Sequence, residues 1–516
     1  MDQPEEALRR GLARLQAGEF IYERPAFPEV EYTFKHGLTQ QVAYGSLLLE
    51  RRRTLHERTA GAIEALFGDR LEEHCGELAY HYSHSDNAAK AIEYLGRAAR
   101  QAVQRSANQE AEAHLSRALE LLESLPASPQ RDERELELQT AIGPVLMATR
   151  GYASPEVEAC CTRALALSRT LGETAQQFSA LLGLRRFYNL RAEYRRAQEL
   201  GERLLDEARR TAEEDLLLEA HGALGSTLLF RGEFEAARQH LAAVAERYDP
   251  QRHRAHAVRY GLDPGVLARM FLACTLWFQG RPEAAVEESR VTLELAQQLA
   301  HTFSLSFALG FTTQLYQYRR DAALTLERAE AAIALSTEQG FPYWLSQAEV
   351  LRGWALAQLG RQREGLAVMQ EGLAAYRASG ARLGYSYLLA LLAETLAGEG
   401  AIDDALAVIA EAQAFVRDTG EGYYAAELHR LEGTLLLERG GAAGAEACFR
   451  QSVESARTQG ARMLQLRAQT ALSRLWQEQG RADEARAPLE TLYAGFDEGF
   501  ETLDLQEARA LLDGLA

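Results

Sequence analysis

Two apolar stripes set the reading of this chain. In the stretch AIDDALAVIAEAQAFVRDT, Ile402, Ala405, Leu406, Ile409 and Ala412 recur at the spacing that gathers side chains on one face of an α-helix. In the next stretch, EGYYAAELHRLEGTLLLER, Leu428, Leu431, Leu435 and Leu436 make a second such face. Gly400, Gly420 and Gly440 bound the two stretches. Just past a helix end, a glycine adopts left-handed backbone angles without the steric cost that a Cβ incurs, so each one predicts a helix stop. Gly340, Gly360, Gly380, Gly460 and Gly480 extend the series, and the unit helix, turn, helix, turn recurs every 40 residues.

A repeat of that length predicts an α-solenoid, in which each helix pair buries its apolar face against the next. Composition agrees. The chain of 516 residues is 47% hydrophobic and 25% charged with only 12 prolines, Ala, Leu, Glu, Arg and Gln dominate, and the class reads as nearly all-α. Around Gly440 the string LEGTLLLERGGAAGAEACF resembles the tetratricopeptide pattern, with Leu431, Gly433 and Leu436 on a first helix and Ala445 and Phe449 on a second. Equivalents recur as Gly353, Leu356, Gly360, Gly365 and Met369, and as Leu472, Ser473, Trp476, Gly480, Ala485 and Leu489. Earlier units are looser, and Ala192 stands where a glycine is usual. About ten helix pairs are expected, each about six residues longer than the common 34-residue repeat.

The array is expected to occupy residues 66–500, with residues 501–516 as a capping helix that closes the last apolar face through Leu505, Ala508, Leu511 and Leu512. Residues 1–65 follow another pattern. ALRRGLARLQAG reads as a helix, FIY and EYTF as short strands around Pro25 and Pro28, and the following stretch as one or two helices. That order is the second half of a winged-helix domain, whose first helices are expected ahead of Met1.

Charge and motifs narrow the function. A net charge of −18 repels phosphate backbones and argues against nucleic acid as a partner. No apolar run approaches the roughly 20 residues of a membrane span, and MDQPEEALRR is no signal peptide. Five cysteines without a CxxC pair fit a reducing cytoplasm. No GxxxxGK[ST], GxSxG or HExxH is present, so no catalytic residue, cofactor or metal is expected. His74, Cys75, His81 and His84 look like metal ligands in sequence, but on a helix Cys75 points away from the face that His74 and His81 share. Vicinal Cys160 and Cys161 read as small core residues on different faces of one helix.

Aromatic residues cluster at the starts of the first helices of the pairs: Tyr343 and Trp344, Tyr385 and Tyr387, Tyr423 and Tyr424. Packing between repeats accounts for them most simply. The tetratricopeptide resemblance implies a second role, because there the first helix of each pair lines a concave surface. It brings Gln347, Trp354, Tyr387, Glu394, Glu427, Arg430, Arg467 and Arg474 near that surface, where arginines among acidic and aromatic neighbours suit a carboxylate or a peptide.

The segment EYTFKHGLTQQVAYGSLLLERRRTLHERTAGAIE, followed by ELAYHYSHSDNAAKAIEYLGRAARQA and HRAHAVRYGLDPGVLARMFLACTLWFQGRPEAA, resembles large bacterial signalling ATPases of the STAND type with C-terminal tetratricopeptide arrays. Many of these carry an N-terminal class III adenylate or guanylate cyclase domain. The resemblance implies a winged helix that closes on a nucleotide-binding core, and an array that senses or docks. In it FKHGL looks like the motif whose histidine contacts a bound diphosphate, here His36, although Gly37 replaces the usual acidic neighbour. The phosphate loop, the Mg²⁺-binding aspartate region and the cyclase domain have no counterpart in these residues.

The expectation is therefore a non-catalytic, cytoplasmic scaffold and sensor that binds a protein, peptide or small effector on its concave face and contacts an ATPase core or cyclase domain. The alternatives are a fragment of an active ATP-dependent cyclase, or a STAND transcription regulator.

Overall fold

The computed structural model describes residues 5–24, 31–151 and 153–515, so Met1, Pro25 and Pro28 lie outside the described residues. The chain divides into two compact units, Met1–Arg100 with His114–Pro126, and Gln101–Ala113 with Ala127–Ala516.

In the first unit, helix α1 (Glu5–Ala17) leads into an antiparallel hairpin of β1 (Ile21–Arg24) and β2 (Glu31–Phe34), with Ile21 opposite Phe34. Helices α2 (Gly37–Gly45) and α3 (Leu49–Leu66), a 3₁₀ stretch (Gly68–His74) and α4 (Cys75–Ser83) follow. Helices α5 (Ala88–Gln104) and α6 (Asn108–Glu123) run across the division. One carboxylate pins this unit's core. The Glu64 side chain accepts from the hydroxyls of Tyr82 at 2.8 Å and Tyr94 at 2.6 Å, whose rings stack 5.6 Å apart.

The second unit is a solenoid of antiparallel helix pairs: α7 (Pro129–Thr149) with α8 (Pro155–Leu171), α9 (Thr174–Leu190) with α10 (Tyr194–Thr211), and α11 (Glu214–Arg231) with α12 (Phe234–Arg247). An added helix, α13 (Pro250–Tyr260), interrupts the series, its start capped by the Asp249 side chain. Pairing resumes with α14 (Pro264–Phe278) and α15 (Pro282–Leu299), α16 (Thr302–Tyr318) and α17 (Ala322–Gln339), and α18 (Pro342–Gln358) and α19 (Gln362–Ala378). It ends with α20 (Tyr385–Gly398) and α21 (Ile402–Thr419), α22 (Ala425–Glu438) and α23 (Ala442–Gln459), and α24 (Arg462–Glu478) and α25 (Ala482–Tyr493), closed by α26 (Leu503–Gly514). Leu505, Ala508, Leu511 and Leu512 of α26 are buried. Cys160 and Cys161 are both buried, as their small size suggested, but their sulfurs lie 3.9 Å apart rather than on separate faces.

The glycine series does what its spacing predicts: every member from Gly340 to Gly480 has a positive φ, such as +76° at Gly420 and +70° at Gly460. The small residues inside the helices serve a different purpose. A Cβ on Gly353 of α18 would lie 2.6 Å from the Gly365 carbonyl oxygen and 2.8 Å from the Met369 nitrogen of α19, so the two backbones touch only because both glycines lack side chains.

One feature has no trace in the repeat. The later pairs return onto the earlier ones, and loops of the second superhelical turn hydrogen-bond to helix ends of the first. Arg382 N donates to Leu190 O at 2.7 Å, Gly422 N and Tyr423 N donate to Phe230 O at 3.0 and 3.2 Å, and Gly499 N donates to the Glu283 carboxylate at 2.8 Å. Glu421 forms the tightest clasp. Fully buried, its carboxylate accepts from Tyr194 of α10, from Gly384 N at 2.8 Å, and from Ser386 N and Oγ at 3.0 and 2.6 Å. Between the turns an aromatic column fills the axis, in which Tyr318 stacks on Trp277 at 4.9 Å and meets Tyr387 edge-on at 5.4 Å.

Two predictions follow from this packing. Gly353→Ala gains about 0.5–1 kcal/mol of helix preference but forces two backbones apart, and overpacking of this kind costs about 1–3 kcal/mol. Urea denaturation should show net destabilisation there, and none for Gly444→Ala, whose Cβ would only meet Leu436 Cδ1 at 3.4 Å. Glu421→Ala strands several buried donors at about 1–3 kcal/mol each. It should lower the denaturation midpoint more than Tyr194→Phe, which removes a single bond; equal effects would contradict the clasp.

Candidate functional site

Where the aromatic column ends, the inner helices α16, α18, α20, α22 and α24 and the closing helix α26 surround a cavity of about 410 Å³. That is within the size range of small-ligand sites. The repeat explains its walls. Residues 40 apart occupy equivalent levels on successive inner helices, so Glu427 and Arg467 form one rung, Ala390, Arg430 and Thr470 a second, and Glu394, Thr434 and Arg474 a third.

Of the eight residues singled out in the sequence, Glu394, Glu427, Arg430, Arg467 and Arg474 line this cavity. The other three sit in the packed interior, and each is buried. Tyr387 belongs to the aromatic column and donates to Gln317 Oε1 at 2.8 Å. Gln347 Nε2 donates to Gln314 Oε1 at 3.3 Å. Trp354 stands behind the wall and donates from Nε1 to Glu394 Oε2 at 2.8 Å, fixing that carboxylate from the rear.

The charges divide into a spent set and an unspent set. Arg467, with its side chain 8% exposed, forms a two-point contact with Asp504 of α26 at 3.0 and 2.9 Å, donates to Tyr318 O, approaches Glu427 at 3.5 Å and lies over the Trp277 ring. Arg320 donates to Asp504 at 3.2 Å and Glu507 at 3.0 Å. Arg430 forks onto Glu427 at 3.0 and 2.8 Å through Nε and Nη2. Burial works to raise the Glu427 pKa, but Arg430 and Arg467 outweigh it and hold the carboxyl below its usual range. Burial likewise opposes the charge on Arg467, and Asp504 and Glu427 overcome it, so its pKa is raised. Burial pushes the Tyr424 hydroxyl upward, with Glu427 adding to the shift. Breaking one member of such a buried pair costs about 3–5 kcal/mol, so these groups are anchors of the wall.

The unspent groups are Arg474, Glu438, the second oxygen of Glu394, Nη1 of Arg430 and the Tyr424 hydroxyl, none of which has a hydrogen-bond or ion-pair partner among the described residues. Thr470 Oγ1 is buried in the same wall without a partner. The cavity thus offers both donors and acceptors, over apolar patches from Leu391, Leu431 and Leu435.

Sequence reasoning missed Arg320, Asp504 and Glu507. Arg320 had a signal: it occupies the glycine level of the 40-residue series, between Gly280 and Gly360, and holds φ +61° with a full side chain. Such a residue is a departure that calls for a reason. Asp504 and Glu507 lie on α26, outside the repeat register, and carried no signal.

Elsewhere, among the described residues no group of three or more His, Cys, Asp or Glu side chains is arranged to hold a metal ion, and no helix is long and apolar enough to cross a membrane. His36 is exposed at the start of α2.

No family model matches the chain. It is 27% identical over 450 residues to an uncharacterized protein of Rhizobium meliloti (strain 1021), a match that covers 86% of this chain and 43% of that protein, so the chain spans less than half the length of this relative. Among solved structures it is similar to a Rap protein complexed with competence and sporulation factor, at 12% identity and a TM-score of 0.53, over 73% of this chain and 99% of that one. It is also similar to the Rap conjugation gene regulator of plasmid pLS20 in complex with the Phr* peptide (11% identity, TM-score 0.46, 71% and 96% covered). A STAND protein with a tetratricopeptide repeat sensor from Pyrococcus horikoshii is similar at 14% identity and a TM-score of 0.38, over 99% of this chain and 72% of that one. The chain is an α-solenoid of tetratricopeptide type with a small N-terminal β-hairpin, and the solenoid is the fold it shares with the first of these structures.

Proposed function

We propose that the chain is a non-catalytic regulatory module that binds a protein segment, peptide or small effector in the cavity of α16–α26. It would serve as the sensing half of a signalling protein of the STAND ATPase and cyclase type. The observation that carries the binding role is the set of polar groups left without partners in a cavity whose other charges are all paired. Buried polar groups are ordinarily satisfied; Thr470 Oγ1 is buried without a partner, and a ligand would supply one while also meeting the exposed Arg474 and the free oxygen of Glu394. The Rap protein of similar fold is complexed with competence and sporulation factor, which supports an effector-binding role for such a solenoid.

Two further observations favour a module of a larger machine. The matched region is 43% of its Rhizobium relative. The first unit also leaves Leu38, Val42, Leu48 and Leu49 exposed at 71%, 65%, 80% and 62% on α2 and at the start of α3. Leu38 and Val42, one turn apart on α2, offer an apolar face of the kind a folded neighbour covers, and the sequence resemblance suggests a nucleotide-binding core as that neighbour.

Hydrogen–deuterium exchange of the whole chain tests the binding role. Addition of a bacterial extract filtered to small solutes and peptides should slow exchange on α20, α22 and α24. Arg474→Ala, which alters an exposed and unpaired side chain, should reduce that protection at least tenfold in the extract concentration required. Exchange that is unchanged by the extract would overturn the reading.

A further inference from the structure

A second cluster, on α8, shares no residue with the cavity of α16–α26. Adjacent residues on a helix point about 100° apart, yet Cys160 Sγ and Cys161 Sγ meet at 3.9 Å. Both side chains are buried, and neither is in a disulfide. Cys160 donates to Val157 O at 3.3 Å, whereas Cys161 donates to no oxygen or nitrogen among the described residues. Beside them lies a cavity of about 30 Å³ between α7, α8, α9 and α13, lined at its sulfur end by Cys161, Met147, Gly143 and Gly183. Gly183 keeps that space open. A Cβ there would stand 2.5 Å from Cys161 Sγ and 3.3 Å from Met147 Cε, and one on Gly143 would meet Cys160 Sγ at 3.6 Å and Cys161 Sγ at 3.9 Å.

A space of that size holds one small occupant. Water suits this end poorly, because it needs polar partners on several sides and the other walls are Ala164, Leu182 and the two glycines. Sulfur suits a soft cation: thiolate and thioether ligands select Cu(I), and Met147 has three rotatable bonds with which to turn its thioether toward the pair. At a metal–thiolate length of about 2.3 Å, sulfurs 3.9 Å apart subtend roughly 115° at a shared ion, near the angle of a three-coordinate centre. Zinc fits less well. It takes four ligands, and no group of three or more His, Cys, Asp or Glu side chains among the described residues is arranged to hold a metal. Two thiolates on a monovalent ion carry one net negative charge, and a cation is at hand. Arg186, buried in the wall of the same cavity, donates to Tyr260 O and approaches Glu219 only at 3.7 Å, and its Nε has no partner.

We infer that Cys160, Cys161 and Met147 form a site for a cuprous ion, held by two thiolates and a thioether where α7, α8 and α9 meet. Binding is a ligand exchange with no change of oxidation state. Each thiol gives its proton to solvent as its sulfur bonds the ion. Copper would tie together three helices of the first two pairs, an input to the solenoid that does not depend on the effector-binding reading above.

The test titrates the whole chain, reduced and free of oxygen, into the coloured complex of Cu(I) with the chelator bicinchoninate, and follows the loss of colour. One equivalent of copper should be withdrawn, and X-ray absorption at the copper edge should then show three sulfur neighbours. Cys160→Ala and Cys161→Ala should each weaken withdrawal at least a hundredfold. Met147→Leu, which keeps the side-chain volume, should weaken it about tenfold and leave two sulfur neighbours. That variant retains both thiols and the packing, so it reads the site even if a cysteine variant does not fold. Cys448→Ala, at a half-buried thiol on α23, should withdraw copper as the parent chain does. Zn(II) should be held more weakly than Cu(I). A chain that withdraws no copper would overturn the inference. So would withdrawal undiminished by Cys161→Ala or Met147→Leu, a copper shell other than three sulfurs, or tighter binding of zinc than of copper.

Discussion

The return of the second superhelical turn onto the first is the constraint on which the rest of the second unit depends. A solenoid pair contacts its neighbours in sequence, and its curvature alone leaves an open concave face. Here the carbonyls that end α9 and α11, which a helix terminus leaves without internal partners, are taken up by backbone donors roughly five repeats later in the chain, at Arg382, Gly422 and Tyr423. Glu421 extends the same logic to the start of α20, where it accepts the amides of Gly384 and Ser386 and ties them to Tyr194. Bringing the turns together closes the axis with aromatic rings. What would have been a long groove becomes a packed column with one charged cavity at its end.

This explains what was legible in the sequence. Glycine at Gly420 or Gly460 is a local requirement, set by backbone angles of one residue, and the apolar stripes are set by helix geometry; both print a period on the chain. The levels of the inner helices inherit that period, which is why Glu394, Glu427, Arg430, Arg467 and Arg474 could be placed near one surface. The same mapping put Gln347, Trp354 and Tyr387 there too, because it carries each level along the repeat without knowing which stretch the returning turn will cover. Contacts between residues some 190 positions apart, such as Leu190 with Arg382, repeat too few times to leave a pattern. Asp504 and Glu507 stand on a helix that follows the last repeat, so no register led to them.

Arg320 shows how the repeat was modified to build the cavity. At a level that elsewhere holds Gly280, Gly360 or Gly400, a glycine would accept the left-handed conformation freely, whereas a side chain there costs of the order of 1 kcal/mol. The gain is electrostatic. Asp504 is almost fully buried at 3% exposure, and a buried carboxylate requires more than one partner to offset its desolvation. Arg467 supplies one from α24, and Arg320 supplies the other from the end of α16. The end of α16 is thereby joined to α24 and α26, more than 140 residues later, at one carboxylate, and α26 is held as a wall of the cavity.

The division between paired and unpaired charge then follows from position. Arg467 and Glu427 occupy the deeper rung, next to the aromatic column, where an uncompensated charge would be most costly, and they are fully committed to each other, to Arg430 and to α26. Arg474 and Glu438 lie about two and three helical turns farther along their helices, where water reaches them and an unpaired charge is tolerated. In the proposed binding role, a ligand would replace water at these outer groups and leave the inner pairs intact. The deep pairs set the shape of the cavity, and they hold it whether or not the outer charges are engaged.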